Sequence, residues 1–282
     1  MTVITEKARA KLNLSLDVTG RRPDGYHELR TVMHTCSLCD ILRISAGSGE
    51  GLRVRCDLPG LPEDGDNLAG RAAALLREET GVGARVEIEI EKHIPFAAGL
   101  GGGSADAAAV LRVLGRLWGA KEETLLRVAA RVGADVPFCL RGGAALCGGI
   151  GERMEPLPPM PPCRILILKP GEGASTPAVF GEYDRSPELR RDTDAVAEAL
   201  RSGDLAALGR GMGNALAGPC ARLVPASLRG TEALRQAGAL AAMLSGSGTA
   251  SFGLFDREET ALHAAETMRQ AGYTVFSALP EA

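Results

Sequence analysis

The sequence predicts an α+β protein of two domains. A strand pattern, Arg85–Ile90, leads into a glycine-rich stretch that is followed at once by a helical pattern, Ala105–Trp118. A segment with five prolines, Met154–Pro162, indicates a stiff extended connection between domains. Beyond it a strand, several helices, a strand, a helix and a last strand follow in an order typical of an α+β sandwich. We therefore predict domains at residues 1–158 and 159–282.

Hydrophobic periodicity places the remaining elements. Ala8–Val18 alternates as a strand, with Leu12, Leu14 and Leu16 on one face. Turn residues predict a loop over Val54–Gly65. One or two strands are predicted over Leu29–Ile44, and further strands at Arg164–Lys169, Ser251–Phe255 and Tyr273–Ala278. Helices are predicted at Asn67–Arg77 (capped by Asp66 or Asn67 and ended by Gly81), Glu122–Val132, from Ser175 onward, Asp194–Arg201, Leu205–Leu216, Leu228–Gly238 and Glu258–Ala271.

Composition excludes several classes of function. The net charge of −3, with a pI of about 5.9, argues against a nucleic-acid footprint or a polybasic membrane surface. Aromatic residues make up only 4% of the chain, which disfavours base-stacking platforms. Met1–Lys7 has no apolar targeting segment, and no run of about 20 apolar residues occurs. These features predict a cytoplasmic protein with no membrane partner.

The seven cysteines are expected to be reduced thiols. Cys36 and Cys39 lie close to His34, a spacing that hints at a metal. A second pair of closely spaced ligands is missing, however, so buried structural thiols are the favoured interpretation and no zinc site is predicted.

The glycine-rich stretch has the character of a phosphate cradle. Four of the five residues 99–103 are glycine, so backbone N–H groups can approach a bulky anion, and the helix that follows adds free donors and a partial positive charge. The alternative is a flexible turn. The stretch is neither a dinucleotide fingerprint, because Ser104 stands where glycine is required, nor a Walker A loop, because the chain has no Gly-Lys pair.

Three further positions carry possible chemistry. Lys11 lies on the polar face of the first strand; a solvated residue is the usual interpretation, but lysines number only 5 against 27 arginines, and a compact ammonium suits a phosphoryl oxygen. Tyr26 and His27 form the tip of a turn that could hold a planar ring, or simply a packed tyrosine beside a solvated histidine. Asp135, just before Val136-Pro137, is either a turn residue or a carboxylate positioned to accept a proton.

Together these motifs resemble the GHMP small-molecule kinases, which include galactokinase, homoserine kinase and mevalonate kinase. That superfamily has an N-terminal strand motif, a glycine-rich loop and a C-terminal glycine loop. In this chain the matching segments are Lys11–Leu14, Pro95–Ala105 and Ser245–Ala250. The blocks Asp24–His27 and Gly133–Pro137 are similar to the branch whose substrate carries a cytidine diphosphate. Other matching blocks run in order along nearly the whole chain: Ala10–Leu14, Arg22–His27, Asp66–Leu68, Gly99–Ala108, Pro170–Gly171, Ser175–Pro177 and Gly246–Gly248.

The resemblance implies a GHMP kinase fold, with an N-terminal nucleotide-binding domain like ribosomal protein S5 and a C-terminal ferredoxin-like α/β sandwich. It implies ATP-dependent phosphorylation of the C2 hydroxyl of a cytidyl-diphosphate substrate in isoprenoid biosynthesis, with magnesium as cofactor. The sequence itself contains no dedicated magnesium cage, so the ion would be held largely by ATP phosphates and water. A monomer or weak homodimer is expected. The alternatives are another GHMP kinase, for homoserine or a sugar, or a non-catalytic nucleotide-binding module on the same fold.

The same resemblance implies residue roles. Asp135 would be the general base, and Lys11 would hold that carboxylate and offset charge on the transferring phosphoryl group. Tyr26 and Phe180 would sandwich the cytosine with His27 bonding its edge, while Asn13 and Thr176 would help fix the substrate. The ATP phosphates would be wrapped by Pro95, Phe96, Ala97, Ala98, Gly99, Leu100, Gly101, Gly102, Gly103, Ser104 and Ala105. The chain departs from some relatives at Ala97 and Ala98, where glycine often stands, so a slightly stiffer loop is expected.

Overall fold

The structure is a computed structural model that describes residues 3–60, 66–188 and 193–282. It divides into two compact units. Unit 1 contains the chain up to Ala10, together with Cys39–Ile94 and Gly101–Arg141. Unit 2 contains Lys11–Leu38, Pro95–Leu100 and Gly142–Ala282. The domain boundary between residues 158 and 159 stays a prediction.

Strands and helices alternate along the described chain. The strands are β1 (Val3–Arg21), β2 (His27–Gly47), β3 (Leu52–Cys56), β4 (Arg85–Glu91), β5 (Ala144–Gly149), β6 (Arg153–Leu157), β7 (Arg164–Lys169), β8 (Gly213–Asn214), β9 (Ala241–Leu244), β10 (Ser251–Phe255) and β11 (Thr274–Ala278). The helices are α1 (Leu68–Thr80), α2 (Gly102–Trp118), α3 (Glu122–Val132), α4 (Val136–Arg141), α5 (Thr176–Arg185), α6 (Thr193–Ser202), α7 (Leu205–Gly211), α8 (Ala217–Leu223), α9 (Ala226–Gln236) and α10 (Glu258–Gln270).

In the described part of unit 1, four helices pack with a small group of strands. Among these strands, β4 pairs with the second half of β2 in antiparallel fashion and with β3 in parallel. Helix α1 makes the crossover that a parallel pair requires. Small residues let the helices approach closely: a Cβ at Gly115 of α2 would lie 2.8 Å from Leu125 of α3.

The described part of unit 2 contains strands of two sheets. In the first, β1 lies between β2 and the short parallel strand β8, while β5 pairs with the first half of β2 and with β6. The second is a four-stranded antiparallel sheet in the order β11-β7-β10-β9. Helices α9 and α10 cover it through a core that includes Leu168, Leu234, Phe255 and Met268. The predicted α+β class and the C-terminal sandwich are confirmed.

Several local predictions are confirmed. Helix α1 begins after Asn67, whose side chain accepts from the Ala69 N–H, and it ends at Gly81 in the left-handed region. Ser175 caps α5 in the same way by accepting from the Ala178 N–H. These ends follow from capping chemistry that adjacent residues encode.

Other predictions were wrong in detail. A loop was predicted over 54–65, but residues 54–56 belong to strand β3. Only Val54 of this strand is buried, so the sequence there lacks the apolar alternation that would have predicted a strand. Residues 61–65 lie outside the described part. The helix predicted over 205–216 ends at Gly211, because Gly213 and Asn214 pair with β1.

Candidate active site

Within unit 2 the first half of the glycine-rich loop, Pro95–Leu100, is bonded to the second glycine loop, Ser245–Ala250. Ser245 Oγ donates to the carbonyl of Gly99 at 3.0 Å. The Ala250 N–H donates to the Ala98 carbonyl at 3.1 Å. The two glycine loops that the sequence singles out therefore form one structure.

Glycine is required at position 99 for two reasons. Its φ is +76°, in the left-handed region, and a Cβ there would lie 2.0 Å from the Ser245 carbonyl oxygen. Neighbouring Ala97 also has a positive φ of 50°, the one such non-glycine residue in the described chain. A left-handed alanine costs about 1–2 kcal/mol, which gives a physical reason why glycine suits this position.

The second half of the loop, in unit 1, is the beginning of helix α2. Gly101 (φ +70°) precedes the helix, which starts at Gly102, three residues earlier than predicted, and no side chain caps it. The Ala105 N–H bonds to the Gly101 carbonyl at 2.8 Å, while the N–H groups of the first turn face beyond the helix end. Uncapped donors at the positive end of a 17-residue helix favour an anion.

Lys11 and Asn13 are buried, with exposures of 4% and 2%. The solvated alternative for Lys11 is therefore wrong. Lys11 Nζ donates to Asn13 Oδ1 at 2.6 Å, and Asn13 Nδ2 donates to Thr31 Oγ1 at 2.8 Å. Because a buried ammonium is costly unless it is hydrogen-bonded, the bonds among Lys11, Asn13 and Thr31 offset the cost of burying Lys11.

The same two side chains lie beside both glycine loops. The backbone N–H of Lys11 donates to the Leu100 carbonyl at 3.0 Å. A Cβ on Gly246 would lie 3.2 Å from Asn13 Oδ1 and 3.3 Å from Lys11 Nζ. The structure thus brings together Lys11 and Asn13 of β1, Gly99 and Gly246, from three segments that are far apart in the chain.

Asn214 is a residue of this region that the sequence interpretation missed. It is buried, and its Nδ2 donates to the carbonyls of Leu244 and Gly246 at 2.9 and 2.8 Å. Its Oδ1 accepts the Leu216 N–H at 2.8 Å. One amide therefore fixes the entry to the second glycine loop. The available signal was the glycine pair 211 and 213 inside a predicted helix, which marks a break.

An aromatic group forms a separate cluster in unit 2. The rings of His27 and Phe180 stack with centroids 4.6 Å apart, and Tyr183 meets His27 edge-on at 6.1 Å. His27 Nε2 lies 2.7 Å from Asp184 Oδ1. Tyr26 is 61% exposed, so its ring is available for a ligand. The alternative in which Tyr26 packs down and His27 is solvated is wrong.

The remaining predicted positions are Thr176 and Asp135. Thr176 Oγ1 lies 2.8 Å from Ser247 Oγ, so the start of α5 contacts the second glycine loop. Asp135, in unit 1, is half-buried in the turn that leads into α4, and its carbonyl accepts the Cys139 N–H at 3.0 Å. Its turn position is clear, and its catalytic role stays a prediction, as does its pairing with Lys11.

His34 is not arranged as a metal ligand. Its Nε2 accepts the Met160 N–H at 2.8 Å, so its Nδ1 carries the proton and donates to the Thr35 carbonyl at 2.7 Å. Burial lowers the pKa of His34, since a charged imidazolium is disfavoured away from water. Cys36 is buried and Cys39 half-buried. Both ring nitrogens are thus used in holding the backbone.

Comparison with known families gives the class of protein that this fold and site define. The GHMP kinases N terminal domain matches residues 67–143, and the GHMP kinases C terminal domain matches residues 196–274. With its paired glycine loops and uncapped helix start, the chain has the architecture of a GHMP small-molecule kinase. No helix in the described residues is both long and apolar enough to cross a membrane.

Full-length relatives give the particular family. A 4-diphosphocytidyl-2-C-methyl-D-erythritol kinase of Pelotomaculum thermopropionicum is 42% identical over 271 residues, 95% of this chain and 94% of the relative. One from Caldicellulosiruptor saccharolyticus is also 42% identical, covering 93% and 92%. A crystal structure of 4-(cytidine 5'-diphospho)-2C-methyl-D-erythritol kinase superposes with a TM-score of 0.83 at 38% identity, covering 99% of this chain and 100% of that chain. The chain belongs to the 4-diphosphocytidyl-2-C-methyl-D-erythritol kinase family of GHMP kinases.

Solved structures of lower sequence identity show a similarity of fold only. A homoserine kinase of Cytophaga hutchinsonii superposes with a TM-score of 0.79 but is only 21% identical. Fold likeness at that level carries no information about substrate, because function depends on the residues of the site.

Proposed function

We propose that this protein transfers the γ-phosphoryl group of ATP to the C2 hydroxyl of 4-diphosphocytidyl-2-C-methyl-D-erythritol, a step in the non-mevalonate (methylerythritol phosphate) route to isopentenyl diphosphate. The observation that carries this function is the near-full-length identity of 42% to relatives of that name. The buried Lys11–Asn13 pair beside the two glycine loops supports it from the geometry.

ATP is the phosphoryl donor, with its phosphates at the glycine-rich loop Pro95–Ala105. Phosphoryl transfer asks a protein mainly for positioning and charge stabilisation, which backbone donors at a helix start can provide. We propose magnesium as the accompanying ion. The ion would be bound mainly by nucleotide phosphates and water.

Asp135 accepts the proton of the attacking hydroxyl, and Lys11 holds that carboxylate and offsets the negative charge of the transferring group. A loose transition state releases the hydroxyl proton late, so a nearby carboxylate suffices as the base. The hydrogen bond from Lys11 Nζ to Asn13 Oδ1 supports this role because it fixes the ammonium in place.

The cytidyl group of the substrate binds at the aromatic cluster. Phe180 and the exposed ring of Tyr26 sandwich the cytosine, and His27, which Phe180 and Asp184 orient, bonds its edge. Asn13 and Thr176 fix the rest of the substrate. We further propose that the partners are limited to these small molecules, that the enzyme is a monomer or weak homodimer, and that it works in the cytoplasm.

The test is ATP-dependent phosphorylation of the cytidyl substrate by the purified protein, with the product identified by mass and phosphorus NMR. Homoserine and galactose, assayed for ADP release, separate it from the other GHMP kinases. Turnover on either of these with none on the cytidyl substrate would overturn the assignment, and ATP binding without any turnover would indicate a non-catalytic sensor.

A further inference from the structure

Three charged side chains are buried together in unit 1, beneath the start of helix α2. Lys92 Nζ donates to Asp40 Oδ2 at 2.5 Å and to Asp106 Oδ2 at 2.8 Å. The exposures of the three side chains are 6%, 0% and 4%. Two carboxylates thus share one ammonium away from water.

The two carboxylates are not equally satisfied. Asp40 Oδ1 accepts the N–H groups of His93 and Ile94 at 2.6 and 2.7 Å, in addition to the Lys92 bond at Oδ2. Asp106 Oδ1 has no hydrogen-bond partner. Among the described residues it is the one buried side-chain nitrogen or oxygen atom that lacks a partner. A buried carboxylate oxygen without a donor is an unfavourable place for negative charge, so this geometry favours protonation of Asp106.

The surroundings offer little further compensation. Burial raises the pKa of Asp106 to about 7, Lys92 opposes this rise and the nearby Asp40 adds to it. At the end of β3, the Cys56 thiol and Asp57 lie close by, and Asp57 Oδ1 accepts the backbone N–H of Lys92. His93 is turned to the Cys39 carbonyl and to Glu91. From α1 the residues buried against the core are small or apolar: Ala69, Gly70, Ala72, Ala73 and Leu76.

This group directly underlies the turn where ATP phosphates are proposed to bind. A Cβ on Gly102, the first residue of α2, would lie 3.3 Å from Lys92 Nζ, and Asp106 follows four residues later on the same helix. Phosphates at the helix start bring several negative charges close to an already unfavourable carboxylate. Low dielectric strengthens that repulsion, and a proton on Asp106 removes it.

We propose that binding of the ATP phosphates at the start of α2 is coupled to uptake of one proton by the Asp106 carboxyl. The inference rests on the proposed ATP site. The proton comes from solvent and converts the carboxylate to a neutral acid, while Lys92 keeps its ion pair with Asp40. Asp106 is then a positioning residue that adjusts the charge beneath the phosphate loop without touching the nucleotide.

The experiment measures protons taken up when the full-length protein binds AMPPNP with magnesium. Calorimetry near pH 8, in two buffers of different ionisation enthalpy, gives the number directly for the wild type and for Asp106→Asn. The amide of that variant is isosteric with the neutral acid and cannot titrate. Asp256→Asn, at an exposed aspartate of unit 2, is the matched control. Any protons bound by the nucleotide itself appear equally in all three proteins.

We expect uptake approaching one proton in the wild type and the control, and none beyond the nucleotide's own in Asp106→Asn. Because uptake on binding means that affinity falls as pH rises, the wild-type Kd should rise by up to about tenfold per pH unit above pH 7 relative to the Kd of Asp106→Asn. Equal uptake by Asp106→Asn and wild type would overturn the proposal.

A second measurement needs no variant. Infrared difference spectra of the wild type should gain the carbonyl band of a protonated carboxylic acid when the nucleotide binds, and absence of that band would also overturn the proposal. Failure of the wild type to bind nucleotide at all would instead remove the proposed ATP site, a result that calorimetry distinguishes from binding without proton uptake.

Discussion

Gly99 and Ser245, 146 positions apart, are in direct backbone contact. Ser245 Oγ donates to the Gly99 carbonyl at 3.0 Å, and a Cβ on Gly99 would lie 2.0 Å from the Ser245 carbonyl oxygen. The two glycine loops can approach so closely only because one of them lacks a side chain at this point. Lys11 and Asn13 lie next to that contact, so its geometry bears on the proposed chemistry.

Gly99→Ala should separate the two loops. The left-handed conformation costs alanine about 1–2 kcal/mol, and the clash with a carbonyl adds to that cost. We expect a lower melting temperature and at least a tenfold loss of kcat/KM. Gly81→Ala is the matched control, since Gly81 has a similar φ of +69° with nothing within 4 Å of a Cβ. Equal effects of the two substitutions would mean that the loop contact is unimportant.

Asp135→Asn should retain ATP binding and lose turnover. Removal of a general base costs about 10²- to 10⁴-fold in kcat. Nucleotide affinity by calorimetry and kcat by a coupled ADP assay check the two halves of the prediction. Asp204→Asn serves as control, because Asp204 caps α7 on the surface and asparagine caps equally well. Undiminished turnover in Asp135→Asn would refute the base assignment.

Asn214→Asp should destabilise the second glycine loop. The change keeps the acceptor for Leu216 but removes the donors to the carbonyls of Leu244 and Gly246 and places negative charge against them. Each buried group left without a partner costs about 1–3 kcal/mol. Urea unfolding measures the loss. Asn67→Asp, at the N-cap of α1, should be neutral, and the prediction fails if Asn214→Asp is equally neutral.

His27→Ala should raise KM for the cytidyl substrate and leave KM for ATP unchanged. The substitution removes the ring that stacks on Phe180 and bonds Asp184, and hence the proposed cytosine contact. Steady-state kinetics with each substrate varied in turn provide the check. His263→Ala, at an exposed histidine of α10, controls for loss of an imidazole. A matching rise in both KM values would argue against a cytosine site here.

His34 should make stability depend on pH. Burial places its folded pKa below the unfolded value near 6.5, so the unfolded state binds a proton first as pH falls. The contribution of neutral His34 to the free energy of unfolding is therefore complete above pH 6.5. Below that pH it declines by up to about 1.4 kcal/mol per pH unit until the folded pKa is reached. Urea unfolding of wild type and His34→Gln at pH 7 and pH 5 isolates it. The loss between these pH values should be smaller in His34→Gln, and an identical loss would contradict the prediction.

Much of the outline followed from local pattern. Helix α1 begins after Asn67 and ends at Gly81, and strand β10 occupies Ser251–Phe255, all as predicted. Alternation, helical period and capping act between residues a few positions apart, so a single sequence displays them directly. Where a tertiary contact competed with local pattern, as at Asn214 in β8, the prediction was wrong.

The sequence by itself determined the kinase family, the two glycine loops and the candidate residues, because these reside in short blocks of specific chemistry. Only the tertiary structure decided that Lys11 is buried against Asn13, that Asn214 holds the second glycine loop, and that Lys92 joins two carboxylates beneath α2. Burial and hydrogen-bond partners depend on which distant segments meet in space, and no local period or spacing records that meeting.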